Sequence, residues 1–149
     1  MSLKQRVQDD MKAAMRSGEK DRLGTVRLIL AAIKQREIDE RIMLDDAQVI
    51  AVLEKMGKQR RESIAQFEAG GRSDLVAKEH AELVVINAYM PAALSAAELD
   101  ALIDAAIAET GAATIKDMGK VMGLIKSRAQ GRADMAAVGS RIKARLSPS

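Results

Sequence analysis

Apolar residues recur at the spacing of an amphipathic α-helix along almost the whole chain. In the first such stretch, Leu3, Val7, Met11 and Met15 place one apolar side chain per turn on the same face. The same periodicity, bounded by capping residues and glycines, predicts seven helices. They cover approximately residues 2–16, 19–40, 45–69, 73–90, 95–110, 114–130 and 134–146. The chain is therefore predicted to be all-α.

A break in the helical pattern at Pro91 divides the chain. Proline disfavours helix at the residue before it and has no backbone N–H to donate. The pattern predicts a helical N-terminal domain of about four helices at residues 1–91, including an antiparallel hairpin that turns at Gly70-Gly71. A small three-helix C-terminal domain is predicted at residues 92–149.

Two charged residues interrupt the apolar stripes of the predicted hairpin. Arg60 lies ten residues before Gly70 and Glu79 lies nine after it, so the two come level in an antiparallel pair of helices. They are predicted to form a structural ion pair, of the kind that is costly to break when it is buried. The functional alternative is a catalytic glutamate held beside an arginine. Other side chains with acid–base chemistry in this part of the chain are His80, Glu82 and Tyr89.

The predicted helix at residues 114–130 combines a cationic face with two glycines. Its apolar stripe consists of Met118, Val121, Met122, Ile125 and Ala129. The opposite side carries Lys116, Lys120, Gly123 and Ser127, with Gly119 and Lys126 beside them. Each glycine costs a helix about 1 kcal/mol relative to alanine, so the pair indicates that something approaches the helix backbone closely. Another helix packing there and a phosphate backbone held between the lysines are the two interpretations.

Positive charge is concentrated toward the C-terminus, although the net charge is only +3. From residue 111 onward there are eight basic and two acidic residues, whereas the first 110 residues contain 16 basic and 19 acidic ones. A basic end on a near-neutral body is typical of a nucleic-acid contact. The predicted RNA-binding residues are Lys116, Gly119, Lys120, Gly123, Lys126, Arg128, Arg132, Arg141 and Arg145.

Composition argues against several other kinds of site. There is no cysteine and only one histidine, His80, so disulfides, thiolate chemistry and zinc sites are not expected. The chain has no phosphate-binding glycine loop followed by Lys-Ser/Thr and no nucleophile-rich region, so no catalytic residue, metal or cofactor is predicted. No apolar run approaches the roughly 20 residues needed to span a bilayer, and the N-terminus lacks an apolar signal core. No membrane contact is expected, and the expected location is cytoplasmic.

The run KDMGKVMG at residues 116–123, followed by GRAD at residues 131–134, resembles the C-terminal signature of the GatB/YqeY family. Weaker matches occur upstream in the family's order. They are Arg22-Leu23, Lys58-Gln59-Arg60, Gly71-Arg72 and Tyr89-Met90-Pro91. The resemblance covers nearly the whole chain and is to the stand-alone YqeY-like members.

The resemblance implies a helical N-terminal domain followed by a three-helix tail. A related tail in the B subunit of tRNA-dependent amidotransferases helps to hold the tRNA body, away from the chemistry. A non-catalytic tRNA-binding accessory module is therefore implied, associated by family with glutamine-dependent carbon–nitrogen ligases. An amidotransferase or an aminoacyl-tRNA synthetase is the implied protein partner, and a protein–protein adaptor is the alternative function. Because Phe67 and Tyr89 are the only aromatic residues, structured RNA fits better than a single strand read by base stacking.

Overall fold

The computed structural model describes residues 1–147, which form seven α-helices and a short 3₁₀ turn at Ile115–Asp117, with no strand in that range. The all-α class predicted from the sequence is confirmed. The helices are α1 Leu3–Ser17, α2 Lys20–Glu40, α3 Asp46–Ala69, α4 Ser73–Asn87, α5 Ala96–Thr110, α6 Met118–Arg128 and α7 Met135–Leu146. None of these helices combines the length and the apolar character that crossing a bilayer requires.

Capping side chains and glycines fix several helix ends. The hydroxyls of Ser2 and Ser95 each accept a hydrogen bond from the backbone N–H three residues on, which satisfies a free donor of α1 and α5. Gly18 and Gly111 end the same two helices in the left-handed conformation, with φ of 73° and 67°. The end of α2 differs, because Arg41 takes this conformation with φ of 55°.

The chain divides into two compact units, of which the first runs from Met1 to Met90. α3 and α4 form a hairpin, and α1 and α2 complete the unit. All four helices contribute almost fully buried aliphatic side chains to one core, each worth roughly 1.5–3 kcal/mol of transfer free energy. The most deeply buried of them are Val7, Val26, Ile29, Ile33, Val49, Leu53 and Ile86.

The ion pair inside the hairpin joins Arg60 to Glu82, not to Glu79. Arg60 Nε and Glu82 Oε2 lie 3.2 Å apart, and both side chains are 15% exposed. The observed partner lies about one helical turn beyond the predicted one, for a simple reason. Counting outward from Gly70 brings Glu79 level with Arg60, but the interhelical turn is centred on Gly71, and Arg60 and Glu82 are equally distant from that residue in sequence.

The second unit begins at Pro91 and packs α5, α6 and α7 around a separate core. Its buried side chains include Leu99, Ile103, Val121, Ile125, Val138, Ile142 and Leu146. The segment that leads into α5 is tied to the loop after α6 by two hydrogen bonds. The Leu94 N–H donates to the Arg132 carbonyl at 2.8 Å, and Arg132 Nε donates to the Ala92 carbonyl at 2.9 Å.

Candidate nucleic-acid interface

The helix that carries the predicted RNA-binding lysines begins with a tight turn. Asp117 accepts hydrogen bonds from the Ala113 and Thr114 backbone N–H groups at 3.0 and 3.2 Å, and these two bonds are the main causes that hold the pKa of this carboxyl below its ordinary value. The positive charge of Lys120 lowers the pKa of Asp117 further. Residues 115–117 are consequently 3₁₀, and regular α-helix starts only at Met118, later than the sequence pattern predicted.

The outward face of α6 is bare at both glycines. A Cβ atom built on Gly119 or Gly123 has no neighbouring atom of residues 91–147 within 4 Å. Gly139 on α7 shows the contrast, because a Cβ there comes within 3.6 Å of Met118 Cε, where α6 and α7 pack. Of the two interpretations given to Gly119 and Gly123, a helix of the same unit packing on them does not apply.

Three lysines border this bare surface. Lys116, Lys120 and Lys126 are exposed, and within residues 1–147 none of them takes part in an ion pair. At 100° per residue, Lys126 lies on one side of the glycines and Lys120 on the other. We call the surface formed by Lys116, Gly119, Lys120, Gly123 and Lys126 the lysine–glycine face.

The four predicted arginines lie elsewhere and have partners on α5. Arg128 donates to Glu109 at 2.6 Å, and Arg141 donates to Asp100 at 2.8 Å. Arg145 contacts the carboxylates of both Asp100 and Asp104, and Arg132 lies 3.9 Å from Glu98. Side chains in these pairs are at least 31% exposed, so each pair contributes only about 0–1 kcal/mol.

The charge count of the C-terminal region changes once α5 is included. Residues 91–149 contain eight basic and six acidic side chains, four of the latter on α5. The sequence window that starts at residue 111 excluded those four carboxylates and so overstated the positive charge. On α6 and the turn before it, the three lysines are the basic side chains that have no ion-pair partner among residues 1–147. The positive surface is therefore smaller than predicted.

Two of the side chains named as acid–base candidates are engaged with separate partners. His80 is exposed on α4, and Glu82 is engaged with Arg60. The Tyr89 hydroxyl donates to Asp10 Oδ2 at 2.6 Å. Burial, followed by that bond to the carboxylate, raises the pKa of Tyr89 to about 12, so the phenol keeps its proton at neutral pH. Among residues 1–147, no three His, Asp or Glu side chains are grouped closely enough to hold a metal ion.

Tyr89 belongs to a polar cluster that the sequence pattern did not indicate. The Arg6 guanidinium lies over its ring, 4.9 Å from the centroid, and Arg22 approaches Asp10 to 4.0 Å. The cluster connects α1 and α2 to the residues after α4. The scarcity of aromatic residues is the one sequence signal that singles out Tyr89, and nothing in the periodicity identifies its partners.

Relatives of this chain carry a shared name. A protein of Eremothecium gossypii named "Altered inheritance of mitochondria protein 41, mitochondrial" is 42% identical over 106 residues, which are 69% of this chain and 58% of that protein. Proteins of the same name from Pyrenophora tritici-repentis and Kluyveromyces lactis are 35% and 36% identical. The matches cover 86% and 65% of this chain and 71% and 54% of those proteins, respectively. The chain thus spans little more than half the length of two of these relatives.

The names of these relatives contradict the expected cytoplasmic location. All three are named as mitochondrial proteins. The expectation depended on the lack of an apolar signal core and of a membrane-spanning run, and neither property separates the cytoplasm from an organelle interior.

Residues 4–146 match a family model described as Yqey-like protein. The match includes all seven helices of both units except the first residue of α1. It also includes the two sequence runs, at 116–123 and 131–134, that suggested the resemblance. The chain therefore belongs to the YqeY-like protein family.

Proposed function

We propose that this chain is a tRNA-binding accessory module without catalysis of its own, and that the lysine–glycine face contacts the sugar–phosphate backbone. Two observations carry the proposal together: among residues 91–147, no other side chain fills the space beside Gly119 and Gly123, and the three neighbouring lysines make no ion pair with any described residue. Backbone contact needs cations and close approach, and this face offers both.

The proposed ligand is a folded RNA bound through its backbone. Base stacking on single strands requires exposed aromatic rings. Residues 91–149 contain no aromatic residue, and Tyr89, at the end of the first unit, is buried. Recognition of structured RNA relies instead on shape and on phosphate and ribose contacts, which lysines on one helix face provide.

The number of lysines sets the expected strength of the salt effect. Each neutralised phosphate contributes about 0.7–0.9 to the slope of log K against log salt concentration, so three lysines predict a slope of about −2 to −3. A face of this size gives weak binding by itself. Weak binding suits an accessory role in which an associated enzyme contributes the rest of the contact.

The test compares two charge reversals in the full-length chain. The variant Lys120→Glu/Lys126→Glu changes the face, and the control Lys55→Glu/Lys58→Glu makes the same change in net charge at exposed positions of α3. Fluorescence anisotropy with tRNA(Gln) and tRNA(Asn) transcripts at low salt measures the affinity. These two tRNAs are chosen because the family resemblance implies tRNA-dependent amidotransferases.

We expect the α6 variant to bind tRNA at least about tenfold more weakly, a loss of about 1.4 kcal/mol, and the slope against salt to become shallower by about 1–2. The α3 control should bind like the natural chain. Equal loss in both variants would mean that only net charge matters, and no loss in the α6 variant would reject this face. Binding of an amidotransferase or synthetase that survives nuclease treatment and depends on the same lysines would favour the adaptor function instead.

A further inference from the structure

The C-terminal end of α2 exposes three large apolar side chains together. Ile38 is 60% exposed, Ile42 is 38% exposed and Met43 is 75% exposed. They line one shallow depression together with Lys34, Glu37 and Arg41. We call Lys34, Ile38, Arg41, Ile42 and Met43 the α2 terminal patch. Clustered exposure of this kind marks an interaction site more often than a single exposed leucine or isoleucine does.

Arg41 has an unusual backbone conformation at this patch. It is the only non-glycine residue with positive φ within residues 1–147, and its backbone N–H donates to the Glu37 carbonyl as the cap of α2. Glycine takes this conformation without the steric penalty that arginine incurs. The Arg41 side chain is exposed and makes no ion pair with any described residue. An arginine held at this position therefore has no internal use that the structure shows.

Lys4 neutralises the one acidic side chain that lines the depression, Glu37, and the other charged side chains there are positive. Glu37 accepts two hydrogen bonds at 2.9 Å from Lys4 Nζ and one at 2.9 Å from the Leu44 backbone N–H, so its charge is already matched. Lys34 is exposed and, like Arg41, unpaired among the described residues. A partner for this patch must supply apolar side chains flanked by carboxylates.

We propose that the α2 terminal patch docks an amphipathic helix of another protein, with an apolar stripe bordered by Glu or Asp. Ile38 lies in the last turn of α2, and Ile42 and Met43 follow the helix end, so the three side chains form one apolar surface against which the apolar stripe of a partner helix can pack. Lys34 and Arg41 then face the partner's carboxylates across the rim.

Two other occupants fit the patch less well. A second copy of this chain, paired by a twofold axis through the patch, brings Lys34 and Arg41 toward the same two cations of its neighbour. An anionic lipid surface is recognised by clusters of about 4–8 basic residues, whereas this patch supplies two, Lys34 and Arg41. A helix can instead place its carboxylates beside the two cations and its apolar stripe against the isoleucines.

The test uses the full-length chain and designed helical peptides as probes. One peptide carries a leucine stripe flanked by glutamates, a second replaces the glutamates with lysines, and a third scrambles the first. Binding is measured by fluorescence anisotropy at low and high salt. The variant Ile38→Ser/Met43→Ser removes the apolar contact. The variant Arg41→Gly keeps the backbone conformation and removes only the side chain, while Met15→Ser, at another exposed methionine of the first unit, is the control.

We expect the glutamate-flanked peptide alone to bind. Ile38→Ser/Met43→Ser should weaken it at least about tenfold, and Arg41→Gly should weaken it about threefold and remove about half of the salt dependence, because Lys34 remains. Met15→Ser should have no effect. Equal binding of the lysine-flanked peptide would overturn the proposal. So would a concentration-dependent dimer abolished by Ile38→Ser/Met43→Ser, or binding to vesicles containing phosphatidylserine when no peptide binds.

Discussion

Replacing Gly123 by alanine should make the protein more stable and should lower its affinity for tRNA at the proposed interface. Gly123 lies in the interior of α6, where glycine costs about 0.5–1 kcal/mol relative to alanine. Apart from its chain neighbours and the backbone of its own helix, the new methyl group meets no atom of residues 91–147 within 4 Å, so no steric term offsets this gain. A midpoint shift of about 4–8 °C per kcal/mol is usual for a domain of 60–100 residues, which predicts a rise of about 2–8 °C.

The same methyl group occupies the space that a ligand backbone would enter. We therefore expect tRNA affinity to fall at least about threefold, or about 0.7 kcal/mol, in a protein that is more stable than the natural one. Gly24→Ala is the matched control. Gly24 is also an exposed helix glycine, and its Cβ position has no contact within 4 Å among residues 1–90, but it lies on α2 in the first unit. It should raise the melting temperature and leave tRNA binding unchanged.

Calorimetry of the full-length variants measures the stability change, and anisotropy at low salt measures the affinity. If Gly123→Ala raises the midpoint while tRNA affinity stays unchanged, the glycines do not serve backbone approach. If it fails to raise the midpoint, the face is occupied in the folded protein and the open geometry is refuted. Opposite signs of the two effects separate a functional glycine from one that is merely tolerated.

Three further predictions concern the first unit. Arg60→Ala leaves the Glu82 carboxylate without its partner and should lower the free energy of unfolding in urea by about 2 kcal/mol. This is less than the about 3–5 kcal/mol for breaking a fully buried pair, because both side chains are 15% exposed. The double variant Arg60→Met/Glu82→Leu should recover most of the lost stability. Glu37→Gln should cost about 1–2 kcal/mol at neutral pH. Because hydrogen bonds hold the pKa of Glu37 below its ordinary value of 4.5, its stabilisation is present above that pH and is lost as pH falls through the lowered pKa, so the two proteins should converge in acid. Tyr89 is the only tyrosine, so phenolate absorbance should titrate near pH 12 in the native chain; a pKa of about 10 would show that the ring is neither buried nor bonded to Asp10. Because this pKa is raised above its ordinary 10.0, the stabilisation is full below pH 10 and fades as pH rises from about 10 to 12, and Tyr89→Phe should lack this loss.

Helix positions could be predicted from the sequence because the signals are local. The apolar period of α1 and the serine caps of α1 and α5 involve residues only a few positions apart. The start of α6 shows the limit of such signals. The bonds of Asp117 to the Ala113 and Thr114 backbone tighten residues 115–117 into a 3₁₀ turn, and a helical repeat does not distinguish that turn from an α-helix.

Charge pairing could not be predicted in the same way, because it depends on which helices become neighbours. Arg141 and Asp100 are 41 residues apart and meet only after α5 and α7 pack. The acidic character of α5 was visible in the sequence, but its alignment with the arginines was not. Arg60 shows a smaller version of the problem, since moving the centre of the hairpin from Gly70 to Gly71 moves the position level with Arg60 by two residues, which is enough to change its partner.

Both proposed surfaces contain residues that lower the stability of the fold and make no compensating contact that the structure shows. Gly119 and Gly123 weaken α6, and no side chain of residues 91–147 packs on them, while Arg41 takes a backbone conformation that suits glycine. Ile38 and Met43 leave apolar surface in water. Departures from local rules are expected at functional sites, and both surfaces are proposed as sites that something outside the fold uses. Combining Gly123→Ala with Arg41→Gly should raise stability by roughly the sum of two independent effects, since the sites lie in different units, while each substitution weakens only its own ligand. A double variant that kept both binding activities would show that these departures are accidental, and calorimetry together with the tRNA and peptide titrations decides it.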